Sequence, residues 1–361
     1  MSEPSEKQRR YSGTKPVADA LAFDVERLRE YLRPHLPDVA DGLDVAQFKG
    51  GQSNPTYKLT TPSASYVLRR KPPGKLLKSA HAVDREYRIL STLGEHGLPV
   101  PPTIVLCDDD SVVGTMFYVM GFVDGRVFWE PHLPSVSPEE RAAIYDSMNE
   151  TLARLHNFDY AAAGLDDFGK PGNYFARQIS RWSQQYRASE TQNIVAMDKL
   201  IEWLPENIPD DDSASVVHGD YRLDNLIIAK DAPKVAAVLD WELSTIGHPL
   251  GDMTYHLMAW QIADVGIGAS GLVGMDLAEL GIPDEQSYIE RYCERTGRRT
   301  GIDQREFYAA YNFFRIAAIS QGIAGRVRDG TAASAHAARA EQAVAPLAAM
   351  AWRYAEQAGA R

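Results

Sequence analysis

The chain has 361 residues, which exceeds the size at which one hydrophobic core usually stops growing, so its length predicts two lobes or domains. Lys and Arg number 38 against 49 Asp and Glu, and the net charge of -11 argues against a general binder of nucleic acids or anionic membranes. The two cysteines are too few for a disulfide framework or a thiolate zinc site, so we expect a reducing compartment, the cytoplasm.

No segment of the sequence has the pattern of a membrane or export signal. Residues 1–12 are polar and mixed in charge, without the apolar core of a secretory signal. The longest apolar runs, such as 116–123, fall short of the roughly 20 residues that a membrane-spanning helix needs. We therefore expect no membrane partner.

The first third of the chain alternates β-like and helical patterns. The predicted elements are a helix at 17–36, strands at 45–48, 56–60 and 66–68, a helix at 82–93, and strands at 104–107 and 116–120. Short turns separate most of these strands, which favours an antiparallel sheet accompanied by one helix.

The remainder is mainly helical, with helical spacing at 138–158, at 174–186 and from 288 onward. Runs rich in β-branched residues reappear at 215–242, where they enclose tight polar segments. We predict three parts: a helical extension at 1–44, a smaller N-lobe at 45–121 and a larger helical C-lobe at 122–361.

One polar loop carries a catalytic pattern. In HGDYRLDN (218–225), Asp220 and Asn225 stand five residues apart between two apolar runs. The kinase catalytic loop has this form, in which the Asp orients the substrate hydroxyl and the Asn binds a magnesium ion. The spacing predicts Asp220 as the catalytic base and Asn225 as a magnesium ligand.

A second carboxylate ends the next apolar run. The pattern predicts a hairpin that turns at 231–233, after which the run 235–239 stops at Asp240. A carboxylate at this place can join Asn225 in holding the Mg²⁺ that bridges the phosphates of ATP. Phosphoryl transfer depends on positioning and charge neutralisation, so one base, two metal ligands and a phosphate clamp are sufficient.

The first candidate for the phosphate clamp is the loop GGQSN (50–54). Gly50 and Gly51 free the backbone to approach phosphates, and Ser53 and Asn54 supply hydrogen-bond donors. The loop therefore predicts a nucleotide contact in the N-lobe.

The second candidate is the strand that follows. Alternation places Val67 and Arg69 on one face, where Val67 would pack on the adenine and Arg69 would reach the phosphates. Glu86, on the next predicted helix, is the natural ion-pair partner for Arg69.

HGDYRLDN together with LDWE (239–242) resembles the signature of the aminoglycoside phosphotransferase-like kinases, the APH and choline kinase type. Within that family, YVLRRKPPG (66–74) and residues 247–252 resemble the branch found as the kinase-like domain fused to acyl-CoA dehydrogenases. The resemblance runs from about residue 45 to the last helices. It implies an α+β fold class: a protein-kinase-like two-lobed fold with a small antiparallel-sheet N-lobe and a larger, mainly helical C-lobe.

The same resemblance implies an ATP-dependent, Mg²⁺-assisted kinase that phosphorylates a hydroxyl of a small molecule. The branch implies a hydroxyacyl compound as acceptor, and the wider family an aminoglycoside-like one. The resemblance also implies an adenine-binding hinge at Met120 to Phe122. Most relatives carry lysine on the third strand, whereas this chain offers Arg69, with Lys71 in phase two residues later, so the identity of the phosphate-binding cation stays open.

Several neighbouring residues have two interpretations. His218 could act as a base or ligand, but we favour a role in bracing the catalytic loop, and we interpret Asp224 as a turn residue. Asp252 would cap a helix or hold the backbone of the loop. Glu242 would contact a second metal or lie at the surface, and His256 is expected to pack inside the protein.

Two functions compete with a kinase. A nucleotide-binding regulatory pseudokinase without turnover is favoured by Arg69, which replaces the lysine of most relatives. It is disfavoured by the presence of Asp220, Asn225 and Asp240, which a protein that only binds nucleotide would not need. A metal-dependent phosphohydrolase would use His218 and Asp220, but no second His-Asp pair accompanies them. The sequence does not indicate the oligomeric state.

Overall fold

The computed structural model describes residues 6–50, 54–74, 81–263, 271–298, 301–328 and 334–361. The chain forms two compact units, the first from Met1–Trp129 and Arg222–Ser244, and the second from Glu130–Tyr221 and Thr245–Arg361. The sequence predicts a lobe boundary at residue 121, whereas the structure divides the chain at residue 129 and groups residues 222–244 with the first unit.

The elements are numbered in chain order. The strands are β1 (Thr14–Lys15), β2 (Asp44–Phe48), β3 (Thr56–Thr60), β4 (Ser65–Arg70), β5 (Thr103–Cys107), β6 (Phe117–Gly121), β7 (Gly125–Arg126), β8 (Ser215–Val217), β9 (Leu226–Ala229), β10 (Val235–Val238) and β11 (Thr245–Gly247). The helices are α1 (Glu6–Tyr11), α2 (Val25–Leu32), α3 (Val83–Glu95), α4 (Asp110–Val113), α5 (Pro138–His156), α6 (Tyr174–Ser189), α7 (Val195–Glu206), α8 (Pro249–His256), α9 (Met258–Gln261), α10 (Leu277–Leu280), α11 (Glu285–Thr296), α12 (Arg305–Arg328) and α13 (Ser334–Gln357).

The first unit is built on an antiparallel sheet in the order β1-β2-β3-β4-β6-β5. Its strands show the alternation expected when one face of a sheet is buried; in β3, for example, Tyr57 and Leu59 are buried and their neighbours are partly exposed. β4 lies between β3 and β6, and its register places Arg69 opposite Thr56 on one side and Tyr118 on the other. Arg69 therefore lies on an interior strand of the sheet.

The N-terminal segment packs into the core of this unit. Leu28 and Leu32 of α2 are fully buried in the same cluster as Tyr57 and Phe117, and the Tyr57 hydroxyl donates to the Leu21 carbonyl at 3.0 Å. The apolar spacing that predicted a helix thus reflects burial against the sheet.

The single helix predicted at 17–36 is wrong in its extent. Asp24 is the N-cap of α2, where its carboxylate accepts the N–H groups of Glu26 and Arg27 at 3.0 and 3.1 Å. This capping starts the helix at Val25 and leaves Asp19–Leu21 as a separate 3-10 turn.

Residues 222–244 join the first unit through backbone contacts. β9 and β10 form the predicted hairpin, and β7 pairs with β9. The Val238 N–H donates to the Pro99 carbonyl at 2.8 Å. Position 125 of β7 requires glycine because the backbone of β9 lies close to it: a Cβ at Gly125 would be 2.5 Å from the Ile228 carbonyl oxygen.

The second unit is mainly helical, as predicted. Its long helices α12 and α13 pack against each other, and α12 also packs against α6. A two-stranded antiparallel sheet of β8 and β11 supports the start of the loop that contains Asp220. Within the described residues, no helix combines the length and apolar character needed to span a membrane.

Candidate active site

The guanidinium of Arg69 contacts the carboxylates of Glu86, Asp240 and Glu242 inside the first unit, an arrangement that we call the Arg69 fork. Its side chain is only 8% exposed. Nε lies 2.7 Å from Glu86 Oε2, and Nη2 lies 2.8 Å from Asp240 Oδ1. The same Nη2 lies 3.3 Å from Glu242 Oε2. Burial alone would lower the pKa of Arg69, but the facing carboxylates, led by that of Glu86, hold the pKa above its usual value.

Glu86 is the centre of a buried hydrogen-bond network. Besides Arg69, it accepts hydrogen bonds from Asn54 Nδ2 at 2.9 Å and from the Tyr118 hydroxyl at 3.1 Å. Burial raises the pKa of the Glu86 carboxyl, and the charge of Arg69 opposes that rise. Three donors from separate segments fix the carboxylate, so the orientation of the Arg69 fork is determined by the fold.

The structure gives the Asn54 side chain a role that the sequence did not indicate. Asn54 is fully buried. Its amide donates to Glu86, and its Oδ1 lies 2.8 Å from Nδ1 of His81. The side chain is thus engaged within the protein. Gly50 directly precedes the gap in the described chain, and the predicted contacts Gly51 and Ser53 lie outside the described residues.

The predicted adenine-binding residues are neighbours in the sheet. Val67 of β4 pairs in register with Met120 of β6, and both side chains are at least nine-tenths buried. The Phe122 N–H donates to the Ser65 carbonyl at 3.2 Å, and Lys58 Nζ lies 4.7 Å from the Phe122 ring centroid. Val67 and Met120 therefore form one continuous apolar surface.

The two predicted magnesium ligands lie beside each other in the backbone. The Leu239 N–H donates to the Asn225 carbonyl at 2.8 Å, which ties the start of β9 to the residue before Asp240. Asp240 adopts a left-handed conformation, with φ 65° and ψ 60°, which Asp tolerates better than most residues. Its side chain is 38% exposed. The amide oxygen of Asn225 and the carboxylate of Asp240 are of the ligand types that Mg²⁺ prefers.

In the second unit, Asp252 holds the backbone of the loop that leads to Asp220. Its carboxylate accepts the N–H groups of His218 and Gly219, the latter at 2.7 Å. Burial alone would raise the pKa of Asp252, but the His156 imidazole, then the His218 imidazole and the Gly219 N–H, hold the pKa below its usual value. The N-cap interpretation is wrong, because His248 caps α8 by accepting the Leu250 N–H at 3.2 Å.

Asp220 makes two of the contacts that position it, and the preceding Gly219 makes a third. Its N–H donates to Nδ1 of His218 at 3.1 Å, so the predicted bracing role of His218 is present. Its Oδ1 accepts a hydrogen bond from the Tyr255 hydroxyl. Arg315 donates to the carbonyl of the preceding Gly219, which has a positive φ of 83°.

Sequence reasoning missed Tyr255 and Arg315. A signal for Tyr255 was available, because it stands three residues after Asp252 and therefore on the same face of a helix. No local pattern distinguishes Arg315, which lies 95 residues after Asp220 in the long helix α12.

Other candidate residues have structural partners. Asp224 forms an ion pair with Arg222 through two hydrogen bonds of 2.5 and 2.7 Å. His256 is buried, as expected, with Nε2 2.9 Å from the Tyr288 hydroxyl, and burial lowers the pKa of its imidazole to about 4. Across the described parts of the chain, no three His, Cys, Asp or Glu side chains form a metal-binding cluster.

Comparisons with known proteins identify the family of the chain. The model of the APH phosphotransferase enzyme family matches residues 44–299. Acyl-CoA dehydrogenase family member 10 from Mus musculus is 43% identical over 349 residues, which cover 96% of this chain but 33% of that protein. This chain thus spans about a third of that relative's length.

Solved structures extend the comparison. A structure from Ralstonia eutropha assigned as an aminoglycoside phosphotransferase is 52% identical, with a TM-score of 0.84, over 93% of this chain and 99% of its own. A spectinomycin phosphotransferase solved with ADP and spectinomycin is 11% identical, with a TM-score of 0.61, over 92% of this chain and 98% of its own. These likenesses confirm the predicted kinase-like α+β fold. From the match of the family model over most of its length, the chain belongs to the APH phosphotransferase enzyme family.

Proposed function

We propose that this protein is an ATP-dependent kinase that phosphorylates a hydroxyl of a small molecule. The observation that carries the proposal is the ion pair of the buried Arg69 on β4 with Glu86 of α3, beside which Asp240 lies. Phosphoryl transfer in kinases requires a strand cation paired with a helix glutamate, and separately a carboxylate that holds Mg²⁺.

Each residue has a role in this proposal. Arg69, oriented by Glu86, binds the phosphates, and Asn225 and Asp240 hold Mg²⁺. When bound, Mg²⁺ supplies neutralisation of charge on the phosphate oxygens. Asp220 accepts or orients the proton of the acceptor hydroxyl, which the contacts from His218 and Tyr255 support by fixing its backbone and carboxylate. In this proposal catalysis is mainly electrostatic.

The acceptor is a hydroxyl compound, and two classes are worth testing first. A hydroxyacyl compound is suggested by the relative named as an acyl-CoA dehydrogenase family member. An aminoglycoside-like compound is suggested by the neighbour named as a spectinomycin phosphotransferase. The ADP in that neighbour supports ATP as the donor.

One observation favours the alternative, a nucleotide-binding pseudokinase without turnover. Arg69 Nη2 already donates to Asp240 Oδ1, so an oxygen of a proposed metal ligand is engaged in an ion pair. A protein that keeps this pair when nucleotide binds would bind ATP without the metal geometry needed for transfer.

A metabolite screen tests the proposal. MgATP consumption is measured over a library of hydroxylated compounds for the wild type, Asp220→Ala and the control Asp231→Ala, which alters an exposed carboxylate in the β9–β10 turn. We expect acceptor-dependent turnover in the wild type and Asp231→Ala and near-complete loss in Asp220→Ala, with the MgATP-induced thermal shift kept in all three. MgATP binding without phosphorylation of any compound would favour the pseudokinase.

A further inference from the structure

Helix α8 contacts the Asp220 loop at two points. Asp252 accepts backbone N–H groups of the loop, and Tyr255, one turn later, donates its hydroxyl proton to Asp220 Oδ1. Residues three apart on a helix lie on the same face, so one rigid element holds both the backbone and the side chain. The Tyr255 contact restricts the rotation of the Asp220 carboxylate about its two side-chain torsions.

Arg315 supports Tyr255 from the other side. The guanidinium carbon lies 5.2 Å from the Tyr255 ring centroid, and the same side chain donates to the Gly219 carbonyl. A cation over an aromatic ring is attracted to its face and draws electron density from the ring, which makes the phenol a stronger hydrogen-bond donor. Arg315 is 6% exposed, so solvent screens this charge little.

The Tyr255 hydroxyl differs in its acceptor from two other buried tyrosines of the second unit. Tyr145 donates to the Pro131 carbonyl at 2.7 Å, and Tyr221 donates to the Met148 carbonyl at 2.8 Å. Tyr255 instead donates a hydrogen bond to the half-buried carboxylate of Asp220, which the proposed reaction requires.

We propose that Tyr255, supported by Arg315, is a positioning residue that fixes the rotation of the Asp220 carboxylate through Oδ1 and thereby sets the direction from which Asp220 meets the acceptor hydroxyl. This proposal rests on the proposed function for its kinetic consequence but not for the hydrogen bond itself. Tyr255 acts through Asp220 and carries no chemical step of its own.

The kinetic test compares Tyr255→Phe with Tyr145→Phe, a matched loss of a buried phenol hydroxyl. The probe is turnover of MgATP with water as the acceptor, or with an acceptor once one is found. Loss of one hydrogen bond that orients a reacting group corresponds to about tenfold in rate. We expect kcat to fall about tenfold in Tyr255→Phe, with KM for MgATP within about twofold of the wild type, and both constants to stay unchanged in Tyr145→Phe. Equal kcat values for the two variants would overturn the proposal.

A second measurement does not depend on activity, and it uses Asp220→Asn beside Tyr255→Phe. A hydroxyl proton shared with a carboxylate gives a strongly deshielded proton resonance in the NMR spectrum. The Tyr118 hydroxyl bound to Glu86 gives a resonance of the same kind, so the one assigned to Tyr255 is the resonance that we expect in the wild type and in Tyr145→Phe and that is lost in both Tyr255→Phe and Asp220→Asn while the Tyr118 resonance stays. If the wild type shows no turnover, the proposed function fails while the Tyr255 resonance still decides the contact. Its absence from the wild type, or its persistence in Asp220→Asn, would overturn the inference.

Discussion

Replacing Arg69 with lysine tests whether the protein needs the fork or only the charge. The guanidinium reaches Glu86 through Nε at 2.7 Å and Asp240 through Nη2 at 2.8 Å. Lysine keeps the charge but has one nitrogen at the end of an unbranched stem, so it cannot reproduce both contacts. Losing a charge-assisted hydrogen bond to a buried carboxylate lowers the free energy of unfolding by about 2 kcal/mol.

Urea unfolding followed by tryptophan fluorescence measures this loss. Trp241 is 3% exposed and follows Asp240 directly, so its emission reports on the affected segment. The control is Arg27→Lys, which alters an exposed ion pair with Asp24 at 3.6 Å. We expect the control to change the free energy of unfolding by less than about 0.5 kcal/mol. An effect of Arg69→Lys no larger than that of Arg27→Lys would refute the two-contact interpretation.

Three further predictions follow from other parts of the structure. Because the folded pKa of His256 is about 4, below the usual 6.5, its neutral form stabilises the fold above pH 6.5 and this contribution is lost as the pH falls toward 4. The loss is on the order of 3 kcal/mol in the free energy of unfolding. Urea unfolding at several pH values should therefore show that the free energy of unfolding falls less steeply toward acid pH in His256→Gln than in the wild type, and an equal slope would contradict this prediction. Gly125→Ala should destabilise by about 1–3 kcal/mol in thermal unfolding, because its Cβ would lie 2.4 Å from Ile227 Cγ2. The control is Gly94→Ala, whose Cβ would lie at an ordinary 3.4 Å from Val100, and we expect it to leave the stability unchanged. Similar melting temperatures for the two variants would argue against close packing of β7 on β9. Saturating MgATP at about 100 times its Kd should stabilise the protein by about 2.7 kcal/mol. Chelation with EDTA should remove most of that shift, and its survival would count against the proposed magnesium site.

The predictions that the structure confirmed rest on local patterns. Alternation and turn residues located the strands of the sheet and the hairpin at 231–233, because side-chain period and turn chemistry act over a few residues. The assignment of Asp220 as catalytic base and Asn225 as magnesium ligand also depends on spacing within one loop, and it stays a prediction. The pairing of Arg69 with Glu86 followed from placing a strand and a helix in the expected order.

The contacts that the sequence did not indicate join distant segments. The hydrogen bond from Asn54 to Glu86 spans 32 residues, and the one from Arg315 to the Gly219 carbonyl spans 96. Local propensity carries no information about such pairs, which are chosen by the packing of whole elements. The helix predicted at 17–36 fails differently: the apolar residues were identified correctly, but the capping carboxylate of Asp24 determined where the helix begins.

Arginine at position 69 also affects how this protein would respond to covalent nucleotide reagents. Acyl-phosphate and sulfonyl analogues of ATP label kinases by reacting with a neutral amine beside the phosphates. A guanidinium surrounded by carboxylates stays protonated and does not react in this way. Chemical profiling based on such reagents would therefore overlook this protein at position 69, and any adduct would form elsewhere, for example at the amine of Lys71, which lies 3.6 Å from Asp84.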